Sequence, residues 1–143
     1  MVHALEQIWE ALRPGGLLID VRPVTARWPL EILVPGRVIR AGRIDDSPNA
    51  LDDHAADAAI RAALRRRFFR PTARATFPFD YIWDSVAEMS EYVTTNWEGC
   101  AVLQSDLLAR AYSLERGFHG EKRVRITMRM IMRTYLKLEK RHV

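Results

Sequence analysis

Only one cysteine, Cys100, occurs in the 143 residues, which excludes an intramolecular disulfide framework and fits a reducing compartment. No base or orienting group is signalled beside it, so the thiol reads as inert rather than nucleophilic. The seven glycines, at 15, 16, 36, 42, 99, 117 and 120, form no GxG pair, so neither a dinucleotide fingerprint nor a P-loop is present. His3, His54, His119 and His142 are scattered without an HxxxH or Cys–His spacing, and no metal site is expected. No apolar run approaches the ~18 residues needed to cross a bilayer. The N-terminal MVHALEQIWEALRPGG has no cationic segment followed by an apolar one, so a secretory leader is not expected. These absences give the expectation of a cytoplasmic, soluble protein with no membrane, disulfide or metal dependence.

What the chain does have is an ordinary globular composition, 48% apolar and 28% charged. Its length predicts a single domain over 1–143, burying roughly 68–70% of the surface of the unfolded chain. The net charge of +4 is unevenly spread. Residues 110–143 carry ten Lys/Arg against three Asp/Glu, whereas residues 1–109 carry twelve against fifteen. A basic C-terminal segment attracts anions, or it forms a solvated sheet face that pairs with the acidic front part.

Hydrophobic spacing predicts the elements. Leu5, Ile8, Trp9 and Leu12 fall at i, i+3, i+4 and i+7, a short amphipathic helix over 3–12. Pro14 stops it, and Gly15-Gly16 permit the reversal into Leu17–Val21, an apolar run broken only by Asp20. Such a run predicts a strand covered on both faces, as in a parallel sheet. Pro35-Gly36 between LEILV and RVIRA predicts a β-hairpin over 30–44 around a type II turn. Ser47-Pro48 opens an Ala-rich helix to about Arg67, with Asp52, Asp53 and Asp57 early and Arg61, Arg65, Arg66 and Arg67 late, complementing the helix dipole.

A strand is expected over 72–82, with Pro78 arguing for an edge or a bulge. Ser85 and Glu88 match a capping box for a helix over 86–96, and a further helix over 104–116 is closed by Gly117. In the last segment Val124, Ile126, Met128, Met130, Met132, Leu136 and Leu138 interleave with Arg123, Arg125, Thr127, Arg129, Arg133 and Lys137. That period of two predicts a long antiparallel strand over about 122–138. The class is therefore α/β, with α+β as the variant: helices packed on a mixed sheet.

Few residues carry chemistry. Asp20 and Arg22 sit at the carboxyl end of the first strand, where α/β sheets present their ligand crevice, and they equally suit an ion pair. Phe77, Phe79, Tyr81 and Trp83 alternate along one strand, as a core stripe or, through Tyr81 and Trp83, as a pocket wall. Asp20, Arg22, Tyr81 and Trp83 thus form a candidate substrate-side pocket. Arg123, Arg125, Arg129, Arg133 and Lys137 form a candidate anion-binding face. No catalytic, cofactor-binding or metal-binding residue is nominated.

The helix ending in Ala11-Leu12-Arg13-Pro14-Gly15-Gly16 and running into Leu17-Leu18-Ile19-Asp20 resembles the segment before and along the fifth strand of class I S-adenosylmethionine-dependent methyltransferases. The later order, helix, strand, helices and a long final strand, is also similar, and FDYIWDSVAEM looks like the strand-to-helix passage of some members. The resemblance implies a final strand lying antiparallel between the fifth and sixth. It makes the hairpin at 30–44 an insertion. It also implies that the glycine-rich cofactor loop and the acidic residue after the second strand lie upstream of Met1, so no cofactor residue carries over to this chain.

Three readings follow. The favoured one is a methyltransferase-like C-terminal half-domain that by itself neither binds S-adenosylmethionine nor catalyses. It would act through a homodimer, or through a complementary chain that covers the strand at 17–21 and could complete a cofactor site. The second is a truncated piece of an active methyltransferase. The third, least favoured, is a nucleic-acid-binding module using the basic strand face.

Overall fold

The computed structural model of the chain describes residues 2–139. In order these form α1 (Val2–Ala11), β1 (Leu17–Pro23), β2 (Pro29–Val34), β3 (Arg37–Arg43), a 3-10 turn (Ser47–Asn49), α2 (Ala50–Arg65), β4 (Phe69–Trp83), α3 (Val86–Asn96), α4 (Ser105–Arg116) and β5 (Arg123–Lys137). The α/β class, the hairpin and the long final strand stand as expected. The sheet, however, is antiparallel where a mixed one is expected.

The long strand β5 is the hub. It pairs with β1 from Leu17↔Leu136 to Pro23↔Met130, with β2 from Leu30↔Ile126 to Leu33↔Arg123, and with β4. The hairpin partner β3 extends the sheet beyond β2. Gly36, at φ +76°, takes the left-handed position that a type II turn after Pro35 demands.

Two compact units divide the described chain: residues 2–23, 51–77 and 130–139, and residues 24–50 and 78–129. In the first, Trp9, Ala63, Phe69 and Tyr135 form a buried core onto which Leu5, Leu12, Leu18 and Ile60 pack. The Trp9 indole stacks on Phe68 at 5.3 Å and donates its Nε1–H to the Leu138 carbonyl at 2.9 Å, so the one polar atom of the ring is satisfied. At the end of α1, Gly15 lies at φ +72°, and a Cβ on Gly16 would stand 2.9 Å from the Arg13 carbonyl oxygen. Both glycines are thus needed for the turn into β1.

In the second unit Trp28, Leu30, Ile32, Ile44, Val86, Met89, Val124 and Ile126 are buried almost completely. Helix α3 starts as its sequence demands: the Ser85 hydroxyl accepts the Glu88 N–H at 3.2 Å, and the Glu88 carboxylate reaches back to the Asp84 N–H at 3.1 Å. Gly117 follows α4 with right-handed backbone at φ −72° and accordingly does not act as a left-handed cap.

Two sequence expectations fail in an instructive way. Strand β1 is not covered on both faces: Leu17, Ile19 and Val21 are 52%, 56% and 49% exposed, while Leu18, Asp20 and Arg22 between them are half-buried. An antiparallel strand with one uncovered face can have this pattern even where its sequence is apolar throughout. On β5 the buried set does not stay on one parity. Val124, Ile126 and Met128 are buried, and then the phase shifts to Ile131 and Tyr135. Met130, Met132, Leu136 and Leu138 are left half-buried. The shift falls at Arg129–Met130, the boundary between the two units.

Candidate functional site

Three clusters of side chains bear on function. The first lies in the unit containing β1. Asp20 and Arg22, two apart on one strand face, are joined by Arg22 Nε donating to Asp20 Oδ2 at 3.2 Å. Arg22 also donates to the Asp53 carbonyl at 3.1 Å and to the Asp57 carboxylate. Arg133, opposite Asp20 in the β1–β5 register, donates to the same Asp57 oxygen at 2.7 Å. Asp53 and Asp57 are four residues apart and therefore share a side of α2. Burial opposes ionisation of Asp57, but the hydrogen bonds from Arg133 and Arg22 outweigh it and hold its carboxyl below the ordinary range. The hydrogen bond to Asp57 likewise raises the pKa of Arg133 against a smaller effect of burial. Arginine and carboxylate charges here satisfy one another, which is the chemistry of a brace between sheet and helix.

The second cluster surrounds Glu31, a carboxylate 6% exposed on β2. Arg125, its partner in register on β5, donates to Glu31 Oε2 from Nε at 3.1 Å and from Nη2 at 2.7 Å. Arg40 reaches Oε1 at 3.3 Å, and Asp80 accepts from Arg125 at 3.4 Å and from the Thr127 hydroxyl at 2.6 Å.

Of the candidate anion-binding residues, Arg125 and Arg133 are therefore engaged by carboxylates, and Arg123 lies 3.8 Å from Asp84. Lys137 donates to the Leu12 carbonyl and stands 4.7 Å over the Trp9 ring. Arg129 is exposed. Arg125 and Arg133 thus belong to separate ion-pair groups, one in each unit.

The third cluster is aromatic. Tyr81 stacks on Trp83 at 5.8 Å with an interplanar angle of 14° and meets Trp97 edge-on at 5.2 Å. Tyr92 of α3 stands 5.5 Å from Trp83 and 5.8 Å from Tyr81, and Phe79 meets Tyr81 at 5.2 Å. Burial, with the neighbouring Tyr92, pushes the Tyr81 phenol up. The four nominated pocket residues thus fall into two pairs: Asp20 with Arg22 in one unit, and Tyr81 with Trp83 in the other.

Sequence reasoning misses four carboxylates that organise these units. Asp57 and Asp53 read as helix-dipole complements, and their i, i+4 spacing was the available signal for a shared face. Glu31 is a lone acid in an apolar strand, which marks a buried ion pair. Asp46 is fully buried and accepts the Ala26 and Arg27 N–H groups at 2.7 and 2.8 Å, fixing a loop in which Arg27 takes a φ of 52°.

Among the described residues no group of three or more His, Cys, Asp or Glu side chains could hold a metal ion, and His142 lies outside them. No described helix is long and apolar enough to cross a membrane. No protein-family model matches the chain, and no curated protein matches it significantly.

Proposed function

We propose that this chain is a methyltransferase-like assembly module that works by self-association through β1, and that by itself it neither binds S-adenosylmethionine nor catalyses methyl transfer. The observation that carries the reading is the uncovered face of β1, where Leu17, Ile19 and Val21 alternate outward. Across the register this face continues through Leu136, Thr134 and Met132, all half-buried. The methyltransferase likeness draws support from strand order, since β5 pairs with both β1 and β4, as a final strand lying between the family's fifth and sixth would.

A second copy is the occupant that the face suits. An antiparallel two-fold pairing centred on Ile19 sets Leu17 opposite the partner subunit's Val21 and Ile19 opposite itself, so apolar meets apolar at every outward position. No charge is stranded, because Asp20 and Arg22 point to the other face and are already bonded to each other. The sheet order leaves β1 at its end, which offers backbone groups for such pairing. A complementary chain adding a strand to the same edge is the second reading, favoured by that same unpaired edge. Nucleic acid suits the basic strand less well, because Arg125 and Arg133 are committed to Glu31 and Asp57.

Replacing Ile19 by Lys tests the reading: the variant is expected to be monomeric and as stable as the parent, since the residue is 56% exposed. A parent chain that is monomeric when pure, yet pulls down a second polypeptide through β1, would shift the reading to the complementary chain. Titration calorimetry with S-adenosylmethionine is expected to give no heat of binding, and saturable micromolar binding would overturn the non-catalytic part.

A further inference from the structure

A groove of about 400 Å³ opens beside Trp83, lined by that residue with Glu88, Glu91, Tyr92, Thr95 and Asn96. Glu88, Glu91, Tyr92 and Thr95 fall at i, i+3, i+4 and i+7, one side of α3, whereas Met89 and Val93 on the opposite side are buried in the core. Trp83 comes from the end of β4 and stands 5.5 Å from Tyr92, its ring stacked on Tyr81 and met edge-on by Trp97 at 6.2 Å. The two aromatic side chains of the groove are thus held by packing rather than left to rotate. The Glu88 carboxylate is also held, through its bond to the Asp84 N–H.

The lining selects its ligand by charge. It contains an indole, a phenol and two carboxylates, and no Lys, Arg or His. Aromatic faces carry negative electrostatic potential and attract cations, most effectively those that are weakly hydrated. Two exposed carboxylates add attraction of the same sign. A small divalent ion does not fit this set, which offers only two acids and no further charged oxygen ligand. A large cation that covers its charge with methyl groups does: its methyls pack on the rings and its charge is matched by Glu88 and Glu91.

We propose that this groove binds an alkylated ammonium group, carried either by a free quaternary amine or by a trimethylated lysine. Trp83 and Tyr92 supply the contact surface, and Glu88 and Glu91 the charge. All the lining residues belong to one compact unit, so the site would operate in a monomer and in a dimer alike.

Ligand-observed NMR on the full chain tests this with three probes: choline, free Nε-trimethyllysine, and 3,3-dimethylbutan-1-ol, the uncharged isostere of choline. The N-methyl resonance of at least one cation is expected to move upfield by ring current and to saturate with a dissociation constant of about 1 mM or tighter. The uncharged isostere is expected to bind at least about threefold more weakly. Tighter binding of choline identifies the free amine as the source, and tighter binding of trimethyllysine the side chain. In the double variant Glu88→Gln, Glu91→Gln, whose changes are on the surface, affinity is expected to fall about two- to tenfold. Trp83→Ala is expected to abolish the upfield shift. The proposal is overturned if neither cation saturates, if the isostere binds equally well, or if the double glutamine variant binds unchanged. The last two outcomes do not depend on whether Trp83→Ala folds.

Discussion

At Asp57 two arginines converge on one oxygen, and the consequence is a pH dependence with a definite sign. The folded-state pKa of Asp57 is depressed, because Arg133 and Arg22 outweigh the effect of burial. The stability this carboxylate contributes is therefore fully present above its unfolded value of about 3.9 and is lost as pH falls through the lower folded value. Asp57→Asn is expected to cost about 1–2 kcal/mol at neutral pH, less than a fully buried pair because the side chain is 32% exposed. Urea unfolding of parent and variant between about pH 7 and pH 2.5 checks this: the gap should hold down to about pH 4 and close below it. A gap that stays constant to the lowest pH would remove Asp57 from the account. Asp46 makes a sharper case, since its replacement by Ala buries two N–H groups without partners. A loss of about 2–4 kcal/mol is expected from denaturant midpoints.

Elements show what could be read in advance and what could not. Helix α3 was legible to the residue, because Ser85, Glu88 and the apolar spacing all specify the same start. The Pro35-Gly36 hairpin was equally plain, since only a left-handed residue closes that turn. Strand β5 was legible in extent and not in facing. Its alternation of apolar and basic residues holds to Met130 and breaks at Ile131, and burial changes parity there. Ile131 and Tyr135, apolar at positions of the basic parity, were the local signal of the change, but which parity is buried is decided by what packs against each half. The ionic clusters were hidden for the same reason: Glu31 and Arg125, or Asp57 and Arg133, lie 76 or more positions apart and meet only through strand and helix packing. Close packing within an element pair gives a further prediction. A Cβ on Gly42 of β3 would stand 2.6 Å from Leu107 Cδ1 on α4, and Leu107 is buried. Gly42→Ala is expected to destabilise by about 1–3 kcal/mol, with Leu107→Ala restoring part of the loss in a double-mutant cycle.

For the whole molecule, the question is what meets the outward side of β1. Three large aliphatic side chains, each about half exposed, alternate along one short strand at the end of the sheet order. Such a stripe costs free energy in water, and roughly 25 cal/mol is recovered for each Å² of it that becomes buried. The ionic residues of the same strand are already satisfied, so association there needs no new charge partner. The ammonium groove beside Trp83 and the brace at Asp57 each belong to a single unit and are independent of that association. Sedimentation equilibrium of the parent chain and of Ile19→Lys, at about 10 µM and so above a micromolar dissociation constant, tests the central claim most directly. Twice the chain mass for the parent and the single chain mass for the folded variant is the result predicted. A parent that sediments as a monomer at that concentration, or a variant that still sediments as a dimer, would contradict it.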